Sequence, residues 1–132
     1  MSNQEAQGEH ISIRTKVIEK IRKSLSSRFR VFDNTGADKK IIAGQFPDVI
    51  LFKKEPPQND EILFVLKIEN GGKLLDSLPL WKELGSAPSA FYIVVAKEKL
   101  DEAKKLVSVA GVRARFAWYE VVNDNVTQVH YE

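Results

Sequence analysis

Residues 61–72 read EILFVLKIENGG, and this stretch decides the architecture around it. Ile62 to Leu66 form an unbroken apolar run, the mark of a strand covered on both faces. Gly71 and Gly72 end it as a turn. Between run and turn stand Lys67 and Glu69, two residues apart. Side chains alternate across a strand, so these two point to one face. A covered strand with a cation and an anion side by side at its end allows two readings. Either the charges neutralise each other, or they face a cleft where something binds.

Working outward, residues 70–85, NGGKLLDSLPLWKELG, open as a turn and continue as a helix. Ser77 is its expected cap, Pro79 fits the first turn and Gly85 the stop. Residues 89–97, SAFYIVVAK, are a second continuous apolar run. Two such strands joined by a helix predict a parallel crossover. Upstream, RFRVFD at 28–33 alternates like a strand, DNTGADKK at 33–40 is turn chemistry, and FPDVILF at 46–52 is a further strand. Pro47 has no N–H to give a ladder and belongs at the start or edge of that strand. KKEPPQND at 53–60 is a connecting loop.

At the front, residues 12–28 are expected to be helical, with Val17, Ile18, Ile21 and Leu25 as the apolar stripe and Ser12 as cap. Arg14, Lys16, Lys20 and Lys23 lie on the opposite face. At the back, KEKLDEAKKLVSVAG at 97–111 reads as a helix with acids early and lysines late, ended by Gly111. VRARFAWYEVV at 112–122 alternates, NDN at 123–125 turns, and VTQVHYE at 126–132 is expected to pair back as a closing hairpin strand. The sum is an α/β protein with a mixed β-sheet flanked by helices on both faces. Residues 1–11 are expected to be a polar, disordered tail, and residues 12–132 one domain.

The composition bounds the function. At 132 residues, with 43% hydrophobic and 29% charged residues, the chain supports one real core. It contains no cysteine, which excludes disulfides, thiolate metal sites and a cysteine nucleophile. A net charge of +2 does not announce a nucleic-acid binder. FYIVVA, among the longest apolar runs, is strand-sized, so no membrane span is expected. The opening MSNQEAQGEH lacks the layout of a signal peptide, and the expected location is the cytoplasm.

The "FPD" of one strand and the charged pair of the next carry a family resemblance. Together with the element order they resemble the PD-(D/E)XK nuclease-like superfamily over roughly residues 12 to 122. The resemblance implies an αβββαβ core of the restriction-endonuclease-like type. Pro47-Asp48 matches the first motif, and Glu19 is the natural counterpart of the glutamate that some members supply from the first helix. The second motif, Glu-x-Lys or a variant on the adjacent strand, departs. With Lys67 as the family lysine, Val65 stands at the acid position. Slid by two residues, Lys67 stands at the acid position and Glu69 at the lysine position. In that register LKIEN resembles the Glu-Val-Glu-Thr of many relatives with its first glutamate replaced, and it is preferred here because the charged pair then falls at the strand end beside the Gly71-Gly72 turn.

If the resemblance extends to activity, the chain is a metal-dependent DNA endonuclease. Asp48 and Glu69, with Glu19 as a further ligand, would hold magnesium, a hard cation that takes carboxylate and water oxygens. The metal would activate a water and neutralise phosphate charge, with Lys67 assisting, so Asp48, Lys67 and Glu69 form the expected catalytic set. Lys67 also argues the other way, because its ammonium is itself a cation at the metal's place. The alternative is a catalytically degenerate domain that binds nucleic acid or a protein partner. With no length left for a separate recognition domain, a stand-alone nuclease this small is expected to need a partner or a homodimer to choose its target.

Each residue also has a plainer reading. Asp48 suits a turn after a proline, and Asp48, Lys67 and Glu69 would satisfy one another as a buried ion cluster. Glu19 suits a solvated helix face. Arg14, Lys16, Lys20, Lys23, Arg28 and Arg30 would make a phosphate-tracking patch if contiguous. Arg113 and Arg115 share one strand face. His10 and His130 read as surface residues, Trp81 and Trp118 as core anchors. A dry Asp48–Lys67–Glu69 contact would favour the degenerate domain. A basic rim of Arg14, Lys20, Lys23 and Arg30 would favour nucleic acid over protein.

Overall fold

The computed structural model describes residues 2–56 and 61–132, with side chains described from residue 13 onward. Three α-helices lie among the described residues: α1 (Ser2–Leu25), α2 (Leu78–Gly85) and α3 (Leu100–Ala110). The strands are β1 (Phe29–Asp33), β2 (Val49–Lys53), β3 (Ile62–Ile68), β4 (Ala90–Ala96), β5 (Arg115–Tyr119), β6 (Val121–Val122), β7 (Asn125–Val126) and β8 (His130–Tyr131). Six of them form one mixed sheet in the order β1-β2-β3-β4-β5-β8. The first three meander antiparallel, β4 runs parallel to β3, and β5 parallel to β4. The crossover through α2 is the one the two apolar runs at 61–72 and 89–97 predicted, and α3 makes a second one from β4 to β5.

The sheet is covered on both faces, and strand alternation sorts the core into two clusters. On one face Val17, Ile18, Ile21 and Leu25 of α1 pack on Val49, Leu51, Leu66, Ile68, Val94 and Ala117. On the other, Trp81 and Leu84 of α2 and Ala103 and Val107 of α3 pack on Ile50, Phe52, Val65, Ile93 and Val95. Every one of these side chains is at least nine-tenths buried. Continuous apolar strands were the price of two covered faces.

The boundaries differ from expectation in four places. Helix α1 runs Ser2–Leu25, so residue 12 is not its start and it stops at Leu25, not residue 28. The expected tail at residues 1–11 falls where side chains lie outside the described residues. Ser77 occupies the position before α2 but makes no capping bond, its backbone being already helical at φ −87° and ψ −7°. Lys104 and Lys105 sit mid-helix, so the last turn of α3 carries no base. The closing strand is divided. Asn123 and Asp124, both at positive φ, turn β6 into β7, and β8 then pairs antiparallel with β5. The split lets both Val126 and Val129 turn into the core.

Two glycines do what only glycine can. Gly111 ends α3 in the left-handed region at φ 70°. Gly85 ends α2 against the chain leading into β5, where a Cβ would stand 2.8 Å from the Arg113 carbonyl oxygen. Trp81 is fully buried as expected, whereas Trp118 is half-buried and stacks on the exposed His130 with ring centroids 4.1 Å apart. Among the described residues no helix is long and apolar enough to cross a membrane.

Candidate functional site

The register of β2 on β3 pairs Val49 with Leu66, which sets Asp48 across from Lys67. The Asp48 amide still donates to the Leu66 carbonyl at 2.9 Å. One residue on, the ladder fails: the Ile68 amide donates to Asp48 Oδ2 at 2.7 Å. The aspartate side chain thus replaces a backbone carbonyl where the strands part, and Pro47, unable to donate, precedes the gap. Lys67 Nζ reaches the same Oδ2 at 3.3 Å, and Arg14 of α1 stands 3.6 Å from Oδ1. The Asp48 side chain is 6% exposed and that of Lys67 15%.

Asn34 holds this corner in place. It is 2% exposed. Its Nδ2 donates to the carbonyls of Lys40 and Pro47 at 2.9 and 2.8 Å, and its Oδ1 accepts from the Lys40 amide at 2.7 Å. Its backbone amide donates to the Asp48 carbonyl at 2.9 Å. One buried amide side chain therefore closes the β1–β2 loop and fixes the peptide entering Asp48. Sequence reading placed Asn34 in a turn, which was its only signal.

Glu69 points to the same side of β3 as Lys67 but joins neither Lys67 nor Asp48. Its Oε1 accepts from the Ser77 hydroxyl at 2.7 Å, and its Oε2 from Trp81 Nε1 at 2.9 Å. The carboxylate ties the end of β3 to the start of α2. The expected three-residue cluster is therefore a pair with an arginine added, and Glu69 is a helix-docking residue. Glu19 is exposed on α1, and no described residue pairs with it.

Tyr119, 1% exposed, donates to the Glu69 carbonyl oxygen at 3.3 Å. Burial pushes its phenol up to about 12, helped by the carboxylates of Glu98 and Glu69 and opposed by Arg14. It borders a cavity of about 360 Å³ at the carboxyl ends of the parallel strands, lined also by Glu69, Gly71, Glu98 and Asp124. Among the described residues no group of three or more His, Asp or Glu side chains is arranged to hold a metal ion.

The basic side chains are dispersed. Arg14 is turned to Asp48, and Lys16 Nζ donates to the Asp124 carbonyl at 2.6 Å. Arg30 lies over the Phe52 ring at 4.7 Å, on the face packed by α2 and α3. Lys20 and Lys23 belong to α1, which covers the other face. The sheet separates Arg30 from Arg14, Lys20 and Lys23 on α1, so these four do not make one rim.

No family model, no curated protein and no solved structure matches this chain.

Proposed function

We propose that this chain is a PD-(D/E)XK-like domain whose catalytic centre has become an internal ion pair, and that it works by binding nucleic acid or a protein and not by hydrolysis. The order α1-β1-β2-β3-α2-β4, with an antiparallel meander followed by a parallel strand, supports the nuclease-like assignment. One observation carries the loss of catalysis: Asp48 Oδ2 is already engaged by the Ile68 amide and the Lys67 ammonium.

The donor set does not fit magnesium. A hard divalent cation takes carboxylate oxygens that are free to turn toward it. Both oxygens of Asp48 face donors or cations, and both oxygens of Glu69 are bonded to α2 and the Ser77 that precedes it. In the alternative register the acid position holds Val65, a fully buried hydrocarbon. Lys67 neutralises Asp48 where a metal would, at the cost of the Lewis acid.

The test is calorimetric titration of manganese, which takes the same oxygen ligands. Wild type is expected to bind none. Lys67→Glu, which sets a second carboxylate beside Asp48, is expected to gain a site that Asp48→Ala in the same background removes. Manganese binding by wild type that Asp48→Ala abolishes, with cleavage of DNA, would return the domain to the nucleases.

A further inference from the structure

We propose that the part of the sheet left open beyond the end of α1 binds a nucleotide unit, its base among aromatic rings and its phosphate on Arg113 and Arg115. The site lies at the opposite end of β3 from Lys67, and it does not depend on how the Asp48–Lys67 pair is read.

Helix α1 stops at Leu25, and the sheet it covers continues past it. There Phe29 of β1, Phe64 of β3, Tyr92 of β4 and Tyr131 of β8 form a row across the strands. Successive ring centroids are 5.5, 5.8 and 6.0 Å apart. All four rings are half-buried, whereas the aliphatic residues under α1 are closed off. With Leu25 and Arg28 these rings line an opening of about 180 Å³. Four aromatic rings partly open to water on one sheet face are the equipment proteins use to hold unstacked bases. Arg28 lies 5.9 Å from the Phe29 ring centre, placing a cation at the rim.

The arginine pair is the nearest neighbour on the other side of β4. Arg115 opens β5 as the cross-strand partner of Tyr92, and Arg113, two residues before that strand begins, borders the same opening as Arg115. Both are exposed, and neither makes an ion pair or side-chain hydrogen bond among the described residues. They line a second opening, of about 300 Å³, with Gly85, Ser89 and their neighbours, and no carboxylate of the described residues borders it. Ala90, which also lines it, stands two residues from Tyr92 on the same face of β4, so the two openings adjoin. The side chains of Lys20, Arg22, Lys23 and Lys53 likewise have no partner among the described residues, but these two guanidiniums line one opening together, beside a hydroxyl and no described acid. Such a pair suits a phosphate, which takes the planar fork of arginine on two oxygens. Gly85, packed under the Arg113 carbonyl, sets the course of that segment.

A phosphate next to a planar base is present both in a free nucleoside monophosphate and in an unpaired strand. Fluorescence anisotropy with a labelled mixed-sequence single strand, and calorimetry with adenosine monophosphate and with inorganic phosphate, separate the sources. At low salt, binding of either nucleotide probe is expected. Arg113→Ala/Arg115→Ala should weaken it about tenfold or more, and both side chains are exposed, so the fold is not at risk. Tyr92→Leu should weaken it about tenfold through lost stacking. If that variant does not fold, Tyr131→Leu near the chain end carries the same comparison. A strand that binds more tightly than the monophosphate assigns the site to nucleic acid, and equal affinity assigns it to free nucleotide. Binding of neither probe, binding indifferent to the arginine pair, or inorganic phosphate competing as well as the monophosphate would each overturn the proposal. None of these outcomes touches the manganese titration, which reads the other end of the sheet.

Discussion

Asp48→Ala separates a structural carboxylate from a catalytic one through stability alone. In the folded protein Oδ2 accepts the Ile68 amide at 2.7 Å and Lys67 at 3.3 Å, and Oδ1 faces Arg14 at 3.6 Å. Truncation orphans the amide of Ile68, a residue with no exposed surface, which costs about 1–3 kcal/mol. The Lys67 head, 15% exposed, loses its counter-charge but can turn toward water along its flexible stem, adding about 1 kcal/mol. Arg14 is 41% exposed, so its share is screened to a few tenths of a kcal/mol. The sum is a loss of about 2–4 kcal/mol. With a urea slope of about 2 kcal/mol per molar, the unfolding midpoint should fall by about 1–2 M. Fluorescence of the buried Trp81 reports it. Asp48→Asn, which keeps an oxygen for the Ile68 amide, should lose only about 1 kcal/mol. Catalytic carboxylates held apart for a metal behave in the opposite sense, since removing one relieves repulsion and commonly stabilises the protein. An unchanged or raised midpoint in Asp48→Ala would therefore refute the ion-pair reading.

Three further outcomes follow from the same geometry. Glu69→Ala leaves the fully buried Trp81 with an unbonded indole N–H and should cost about 1–3 kcal/mol, whereas Glu69→Gln keeps an acceptor and should cost under about 1 kcal/mol, both read as urea midpoints. Gly85→Ala drives a methyl to 2.8 Å from a backbone oxygen and should destabilise by about 1–3 kcal/mol. Tyr119 is pushed up to about 12 from 10 by burial. Its contribution is fully present below the unfolded value near pH 10, because folded and unfolded forms are then equally protonated. Between pH 10 and 12 the unfolded chain ionises first, so stability falls by up to about 1.4 kcal/mol per pH unit. Tyr119→Phe should show a shallower loss than wild type in urea midpoints measured from pH 9 to 11.5.

The element types were legible because local chemistry decides them. The runs 62–66 and 91–95 are too apolar to be covered on one face only, and the helix between them demands a parallel pairing. The turns at 34–40, 70–72 and 123–124 are written in residues that tolerate unusual backbone angles. The helix ends were legible where a glycine imposes them, at Gly85 and Gly111, and not at Leu25, where the chain simply leaves the sheet. Ser77 misled for an instructive reason. Its residue type suits a cap, but a 3-10 turn over Leu74–Ser77 already holds its backbone in helical conformation, so it lacks the extended geometry a cap needs, and its hydroxyl donates to the Glu69 carboxylate eight residues away.

The charged residues divide along the same line. That Lys67 and Glu69 share a face follows from strand period and nothing else. Which carboxylate Lys67 meets does not, because two acids compete for it and the winner depends on how β2 registers on β3. Alternation places Asp48 within reach, while α2 delivers Ser77 and Trp81 to Glu69 first. Likewise the basic residues of α1 and β1 are equally basic in any fold, and only the sheet running between Lys20 and Arg30 makes them strangers. Periodicity and turn chemistry act over a few residues and can be read from the chain. Pairings across 20 to 50 residues, such as Asp48 with Ile68 or Tyr119 with Glu69, exist only once packing has chosen among several acceptable partners.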